Sequence, residues 1–456
     1  MIKKNLQFIS ILTALLIFIL VNNSFSQWTI SGSVPGIGGN PSISVADQNV
    51  VWAAGGTSLP VVWRTTNGGT NWLSVPTAGI PIDLFCIWAI DSSTAFVGDG
   101  GSAGGGGGNA RIWRTTNSGV NWEAVANTGG VAGFFNGIVF SKTVPTFGIG
   151  QSDPPGGAGN PYYISVTSNG GANWNPLSPA PPGVTGQASA QNSIVVVDDQ
   201  FYGFGLGNLA PARCYLTSNG GANWYVGNLA GISGGFVSGL AFKDRFTGIA
   251  ATSASLGSIA RTTNGGVNWN AILTGTTVGG YCTMKWIEGT NTCYLSGATG
   301  SSGAISKSTN GGLNWTTMST GTLTGINYME FRRVGTTVYG YAVTASTGAI
   351  LKLIDVVTDV TAINNLVPSK YNLEQNYPNP FNPSTTINFS IPTSTDVSLK
   401  IYNSLGKEVA SLVNEFKPAG NFSINFTETT GLTSGVYFYK LVANNFIETK
   451  KMILSK

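Results

Sequence analysis

The stretch Arg64-TTNGGTN-Trp72 decides the fold, because it returns five more times along the chain. The copies are Arg114-TTNSGVN-Trp122, Val166-TSNGGAN-Trp174, Leu216-TSNGGAN-Trp224, Arg261-TTNGGVN-Trp269 and Lys307-STNGGLN-Trp315. Successive tryptophans stand 50, 52, 50, 45 and 46 residues apart. A unit of that length, built from short apolar runs between turn residues, cannot bury its own faces and needs stacked neighbours to complete a core. Four antiparallel strands per unit make it a propeller blade.

In the first unit Ile43–Ala46 reads as strand A, Val50–Gly55 as B, Val61–Thr66 as C and Asn71–Val75 as D. The motif is the C–D turn. Asn67, Asn117, Asn169, Asn219, Asn264 and Asn310 can each bond backbone amides of their own turn. Gly69, Gly119, Gly171, Gly221, Gly266 and Gly312 supply the positive φ that a tight connection needs. Trp72, Trp122, Trp174, Trp224, Trp269 and Trp315 open strand D and can fold a large ring over the hairpin. Six near-identical plugs are scaffold rather than six active sites.

A seventh unit is incomplete: Asn327–Arg332, Val338–Val343 and Ala349–Ile354 supply strands A, B and C, and no motif follows. At the other end, Gln27-Trp28-Thr29-Ile30-Ser31-Gly32 resembles the Asn-Trp starts of the other D strands. Using it as the missing strand closes the ring and removes an open edge. The expectation is a seven-bladed β-propeller over residues 27–356, a linker over 357–370, and a small Ig-like β-sandwich over 371–456. The repeats resemble the Asp-box (BNR) pattern Ser/Thr-x-Asp-x-Gly-x-Thr-Trp. In the first copy Thr65, Gly69 and Trp72 match, Asn67 replaces the Asp and Asn71 the second Thr. That family spans sialidases, xyloglucan-degrading enzymes, sortilin-type receptors and photosystem-assembly propellers, so the resemblance implies a fold and not a function.

After Leu366 the composition changes: Lys and Glu appear in number, Trp vanishes, and short alternating strands follow a Pro-rich turn. The run Asn376-Tyr377-Pro378-Asn379-Pro380-Phe381-Asn382-Pro383 is followed by Ile401-Tyr402-Asn403, Gly406-Lys407-Glu408-Val409, Ser434-Gly435-Val436-Tyr437 and Lys450-Lys451-Met452. These motifs closely resemble the type A sorting domain of the type IX secretion system. The resemblance implies that residues 371–456 are recognised by an outer-membrane translocon and its sortase, with the chain released or anchored at the cell surface after passage through the periplasm.

Of the 456 residues only 9% are charged and none is His. Without His there is no Ser-His-Asp or Cys-His triad and no imidazole metal ligand. Lys3 and Lys4 lead an apolar run from Phe8 to Val21, with small Ser24 and Ser26 before a cut at Gln27. Residues 1–26 thus read as a secretory signal, and the apolar run is too short for the ~20 residues of a spanning helix. The net charge of +4 sits in the leader and the tail, and residues 27–365 are neutral, which excludes nucleic acid as partner. Four Cys in an exported chain raise the question of disulfides. Cys293 falls opposite Trp286, leaving Cys282 out of register for a bridge, and four buried thiols are expected. No spacing suggests a metal site or a cofactor.

Alternating strand direction puts the C–D and A–B turns on one face and the B–C loops on the other. The second face carries the irregular stretches 98–110, 150–161 and 176–190, and a glycan or protein ligand is expected there. A two-carboxylate glycosidase needs a pair roughly 5–10 Å apart. Asp99 and Asp153 are the pair to test, since Asp47, Asp91, Asp198, Asp244 and Glu288 fall at A–B turns. Trp63 with Trp113, and Trp88 with Trp286, share strand positions, which points to core packing rather than sugar stacking. The function expected is an exported, non-catalytic binding or structural propeller. The alternative is an extracellular glycoside hydrolase, sialidase-like or xyloglucan-degrading-like.

Overall fold

The computed structural model describes residues 27–455 apart from 40, 57–58, 102–107, 156, 158, 184–187, 208–210, 230, 233, 254–258, 273–281, 298–303, 319, 322, 324, 345–346, 358–369, 393–394, 418–419 and 428–430. The leader expected over 1–26 and nearly all of the linker expected over 357–370 lie outside the described residues. The chain divides into two compact units, Met1–Val360 and Thr361–Lys456.

The first unit holds seven four-stranded antiparallel sheets. Blade 1 is Ser42–Val45, Val51–Gly55, Val61–Thr65 and Leu73–Val75. Blades 2 to 6 repeat the A-B-C-D order, their A strands being Leu84–Ala89, Phe135–Phe140, Ser189–Val196, Val237–Phe242 and Met284–Trp286. Blade 7 takes Ile326–Val334, Thr337–Thr344 and Ala349–Val356 as A, B and C, and its D strand is Thr29–Ser33 from the other end of the chain. Thr29 pairs with Lys352 and Ser33 with Ala349 in antiparallel register. Each A strand packs on the next, and blade 7's packs on blade 1's, so the ring is closed and all-β.

The motif turns share one bond pattern. Thr65 Oγ1 accepts from Gly69 N at 3.0 Å, and Asn67 Oδ1 accepts from Asn71 N at 2.9 Å. The same two bonds recur in the other five copies, with Ser308 in the Thr position of the last. The amide of Gly68, and of its counterparts Ser118, Gly170, Gly220, Gly265 and Gly311, donates to a carbonyl of the A–B turn. The two kinds of turn therefore share one face.

Two features of the motif reach beyond its own blade. The second glycine is pressed against the preceding blade as well as having φ near +80°: a Cβ on Gly119 would stand 1.9 Å from Val75 Cγ1, and one on Gly171 2.2 Å from Phe96. Trp122 Nε1 donates to Pro76 O of blade 1 at 2.8 Å, and Arg64 donates to Ser92 O of blade 2. Each repeat is thus a bolt between blades, which is how short units hold a large ring.

Cys86, Cys214, Cys282 and Cys293 are all buried as thiols. Trp286 pairs with Cys293, the register expected from the sequence. Burial pushes the Cys282 thiol up to about 11 and Cys214 up to about 12.

The second unit stacks a three-stranded sheet (Asn372–Leu373, Ser384–Ile391, Gly420–Thr427) on a four-stranded one (Glu408–Lys417, Thr395–Asn403, Gly435–Ala443, Phe446–Leu454). Phe381, Ile387, Phe389, Leu399, Tyr439 and Met452 fill the space between them, the arrangement of a small sandwich.

Candidate functional site

Asp99 ends strand B of blade 2 and is fully buried. Its Oδ1 accepts from Gly101 N at 3.1 Å and Arg111 N at 2.8 Å, and its Oδ2 from Trp113 Nε1 at 2.7 Å. Asp153 Oδ1 accepts from Ser189 N at 2.7 Å and Ser189 Oγ at 2.6 Å, tying blade 3 to blade 4. Burial raises both carboxyls above the ordinary value, against these hydrogen bonds. Both acids brace backbone amides, chiefly of strand residues, and neither lines the cavities described next. The A–B turn acids Asp47, Asp91, Asp198 and Asp244 each accept two amides of their own turn.

The charged cavity lies on the ring axis. In blades 1 to 6 an amide closes the A–B turn: Ala46, Ile90, Ser141, Val197, Lys243 and Ile287. Two residues before each stand Ser44, Trp88, Val139, Val195, Ala241 and Lys285. In blade 7 the matching residue is Glu330, counted from a register shift at the start of strand A that blades 2, 3 and 5 share. All seven line two adjoining cavities of about 120 and 240 Å³, which meet at Trp88, Phe140, Lys142 and Glu330.

One position, equivalent in every blade, thus carries small or apolar groups in four blades and Trp88, Lys285 and Glu330 in the other three. Glu330 is buried. Lys285 Nζ lies 2.7 Å from Glu330 Oε2 and donates to Tyr328 Oη at 3.0 Å. Lys142, from blade 3 across the axis, lies 3.6 Å from Glu330 Oε1 and 3.5 Å from Phe331 O. Burial pushes the Glu330 carboxyl up, but Lys285 and Lys142 outweigh it and hold the group below the ordinary glutamate value. Burial likewise pulls the Lys285 ammonium down, and Glu330 with Tyr328 outweighs that and keeps it above the ordinary lysine value. Lys243 and Arg332 also line the space, and Glu288 is the other carboxylate. Arg332 and Glu288 are exposed, and Lys243 Nζ donates to Asn291 Oδ1 at 2.7 Å, so the charges that meet are Lys142, Lys285 and Glu330.

The opposite end of the axis is crossed by a bulge in strand A of blade 4, where the register shifts between Ser189 and Ile194. There Asn192 takes φ 56°, Gln191 Nε2 donates to Phe85 O of blade 2 at 2.6 Å, and Ser42 Oγ of blade 1 donates to Asn192 Oδ1 at 3.4 Å. The axial space is therefore a pit at the A–B turn end, on the face away from the irregular loops. Trp88, expected to be core, is half-buried and lines both lobes. Trp113 is buried, as the strand-position argument expects.

In the second unit the sorting motif is knotted to the last strand. Asn376 is buried, its N–H donating to Tyr439 Oη at 2.9 Å and its Nδ2 to Thr385 Oγ1 at 2.9 Å. Asn379 Oδ1 accepts from Ile453 N at 2.9 Å, and Phe381 bridges in parallel to Leu454. Gly406 turns with φ 77°, Tyr437 Oη donates to Thr433 O at 2.8 Å, and Lys450 pairs with Glu448 at 3.3 Å. Tyr377 is exposed. Among the described residues no helix is long and apolar enough to cross a membrane, and no group of three Cys, Asp or Glu could hold a metal ion.

The ring is similar to a solved structure described as YCF48 bound to D1 peptide, at 14% identity over 73% of this chain and 98% of that one, TM-score 0.49. The chain is also similar to the Niastella koreensis GH74 enzyme, at 14% identity over 90% of this chain and 64% of that one, TM-score 0.45. A third likeness is to the WD40 beta propeller domain of Doa1, at 13% identity over 73% and 97%, TM-score 0.46. A search of curated proteins by sequence found no match. Residues 375–455 match the family described as Secretion system C-terminal sorting domain. With the buried Asn376 knot and the sandwich that carries it, that segment is a type IX sorting domain, which sends this seven-bladed propeller to the cell surface or the extracellular space.

Proposed function

We propose that this protein is an exported, non-catalytic binding module whose propeller takes its ligand in the axial pit, with residues 1–26 as the leader and residues 371–456 as the part that engages the translocon and sortase. The observation that carries the assignment is the buried Glu330 carboxylate with two lysines beside it, the committed Lys285 and the part-exposed Lys142, in a cavity where the equivalent residues of four other blades are small or apolar. Lys285 and Glu330 compensate each other, whereas Lys142 is part-exposed and holds only long contacts. An anionic ligand would take up the donor capacity left on Lys142. This moves the ligand from the B–C loop face, where the irregular loops drew attention, to the A–B turn end.

The competing hydrolase would use Asp99 and Asp153. The two readings part on one experiment: incubation of the full chain with polymeric glycans, followed for new reducing ends. The binding reading expects retention without cleavage. Cleavage abolished by Asp99→Asn would establish the hydrolase instead. For the tail, deletion of residues 366–456 is expected to leave the chain in the periplasm, and normal export of that truncation would refute the sorting role.

A further inference from the structure

Inside the pit the donors are unequal. Lys285 is committed to Glu330 and Tyr328 at short range. Lys142 holds only long contacts, 3.6 Å to Glu330 Oε1 and 3.5 Å to Phe331 O, and its side chain is about one-third exposed, at 31%. An ammonium offers three N–H donors, so Lys142 has capacity for an incoming acceptor. Beside it, lining the same two lobes, is the half-buried indole of Trp88, held in a stack on Phe140 with ring centroids 6.2 Å apart. The larger lobe, about 240 Å³, is smaller than the roughly 300–1,000 Å³ of a drug-sized site. It suits one ring rather than a length of polymer.

Resting on the axial-pit reading above, we infer that the ligand is a carboxylated sugar, a uronate unit of an acidic polysaccharide. The uronate carboxylate accepts from Lys142 Nζ, giving that ammonium a close anionic partner. The C–H face of the pyranose lies on Trp88, where an aromatic ring gives flat apolar area at small entropic cost. An acidic peptide side chain would use the ammonium and leave the indole uncovered. A neutral sugar would cover the indole and leave the charge unanswered. The combination of the two groups selects the uronate.

The test is calorimetric titration of the full chain with trigalacturonate, its methyl ester, neutral galactotriose and a tripeptide ending in two glutamates. Trigalacturonate is expected to bind, with affinity falling about ten-fold or more on methyl esterification or in Lys142→Met, the scale of one charge-assisted hydrogen bond. Trp88→Leu is expected to weaken the same ligand, and Trp88→Phe to restore most of the loss. Thermal unfolding of each variant shows that it is folded, and Lys142→Gln serves if Lys142→Met is not. Binding of the glutamate peptide in preference, dependent on Lys142 and indifferent to Trp88, would overturn the uronate and leave the pit as the site. Equal binding of ester and acid overturns the uronate as well. Absence of Lys142-dependent binding by every probe would overturn the pit reading with it.

Discussion

The rim and the axis of this ring obey opposite rules. At the rim six turns carry the same two hydrogen bonds, the same glycine pressed on the preceding blade and the same tryptophan. At the axis one equivalent position carries Ser44, Trp88, Val139, Val195, Ala241, Lys285 and Glu330. Blade-to-blade contact is a single packing problem solved once and copied. The axial position lies where all seven blades converge, and its residues differ even where they bridge blades: Ser44 Oγ accepts from Ala89 N of blade 2 at 2.9 Å, and Lys285 of blade 6 pairs with Glu330 of blade 7. Repetition marks what holds the ring, and departure from repetition marks what the ring holds.

Four experiments test that contrast. The largest effect is expected from removing Trp28–Ser33, which strips the D strand from blade 7 and exposes the edge of Ala349–Val356. Trp28 is buried with its ring edge-on to Phe331 at 5.9 Å. The truncated ring is expected to aggregate and to lose a cooperative melt, while an unchanged melting temperature would refute closure by this strand. Next, Trp269→Ala at the rim should cost about 3–5 kcal/mol, since the ring is buried against Phe242 at 5.8 Å. Denaturant unfolding reads it directly.

Glu330→Gln at the axis should cost about 3 kcal/mol, the penalty for stranding buried partners of opposite charge. Its pH signature distinguishes it from a rim defect. Glu330 is held below its ordinary 4.5 in the folded chain, so its contribution is in full force above that value and is lost as pH falls through the folded value. The melting temperature of the parent protein is expected to drop faster than that of the variant on acidification, and parallel curves would dissociate Glu330 from the lysines. The smallest effect belongs to Asn67→Asp, which restores the residue of the Asp-box pattern. Its Oδ1 still accepts from Asn71 N, so the change in stability should stay within about 0.5 kcal/mol. A loss of several kcal/mol would show that the turn requires the amide.

The contrast also explains what could be read in advance. The motif turns and the closing strand at Trp28 were legible because their signals are local: a nine-residue pattern and an Asn-Trp-like start. Asp99 and Asp153 read as loop acids available for chemistry because, Gly101 apart, the donors they receive are distant in sequence. Arg111, Trp113 and Ser189 arrive through strand pairing and blade packing. Lys142, Lys285 and Glu330 each pass for an ordinary strand or turn residue. One signal was present, a charge at an A-strand position where Val139, Val195 and Ala241 are apolar, but it emerges only when blades are aligned by their A–B turns.

Sequence alone determined the number of blades, the strand that closes them and the sorting sandwich, because each is written in short-range patterns of turn residues and alternating apolar positions. Only the tertiary structure decided which end of the axis is crossed and which charges meet there. Lys142, Lys285 and Glu330 come from blades 3, 6 and 7, and a ring brings distant residues together at its centre through the angles between sheets, which no single segment of the chain encodes.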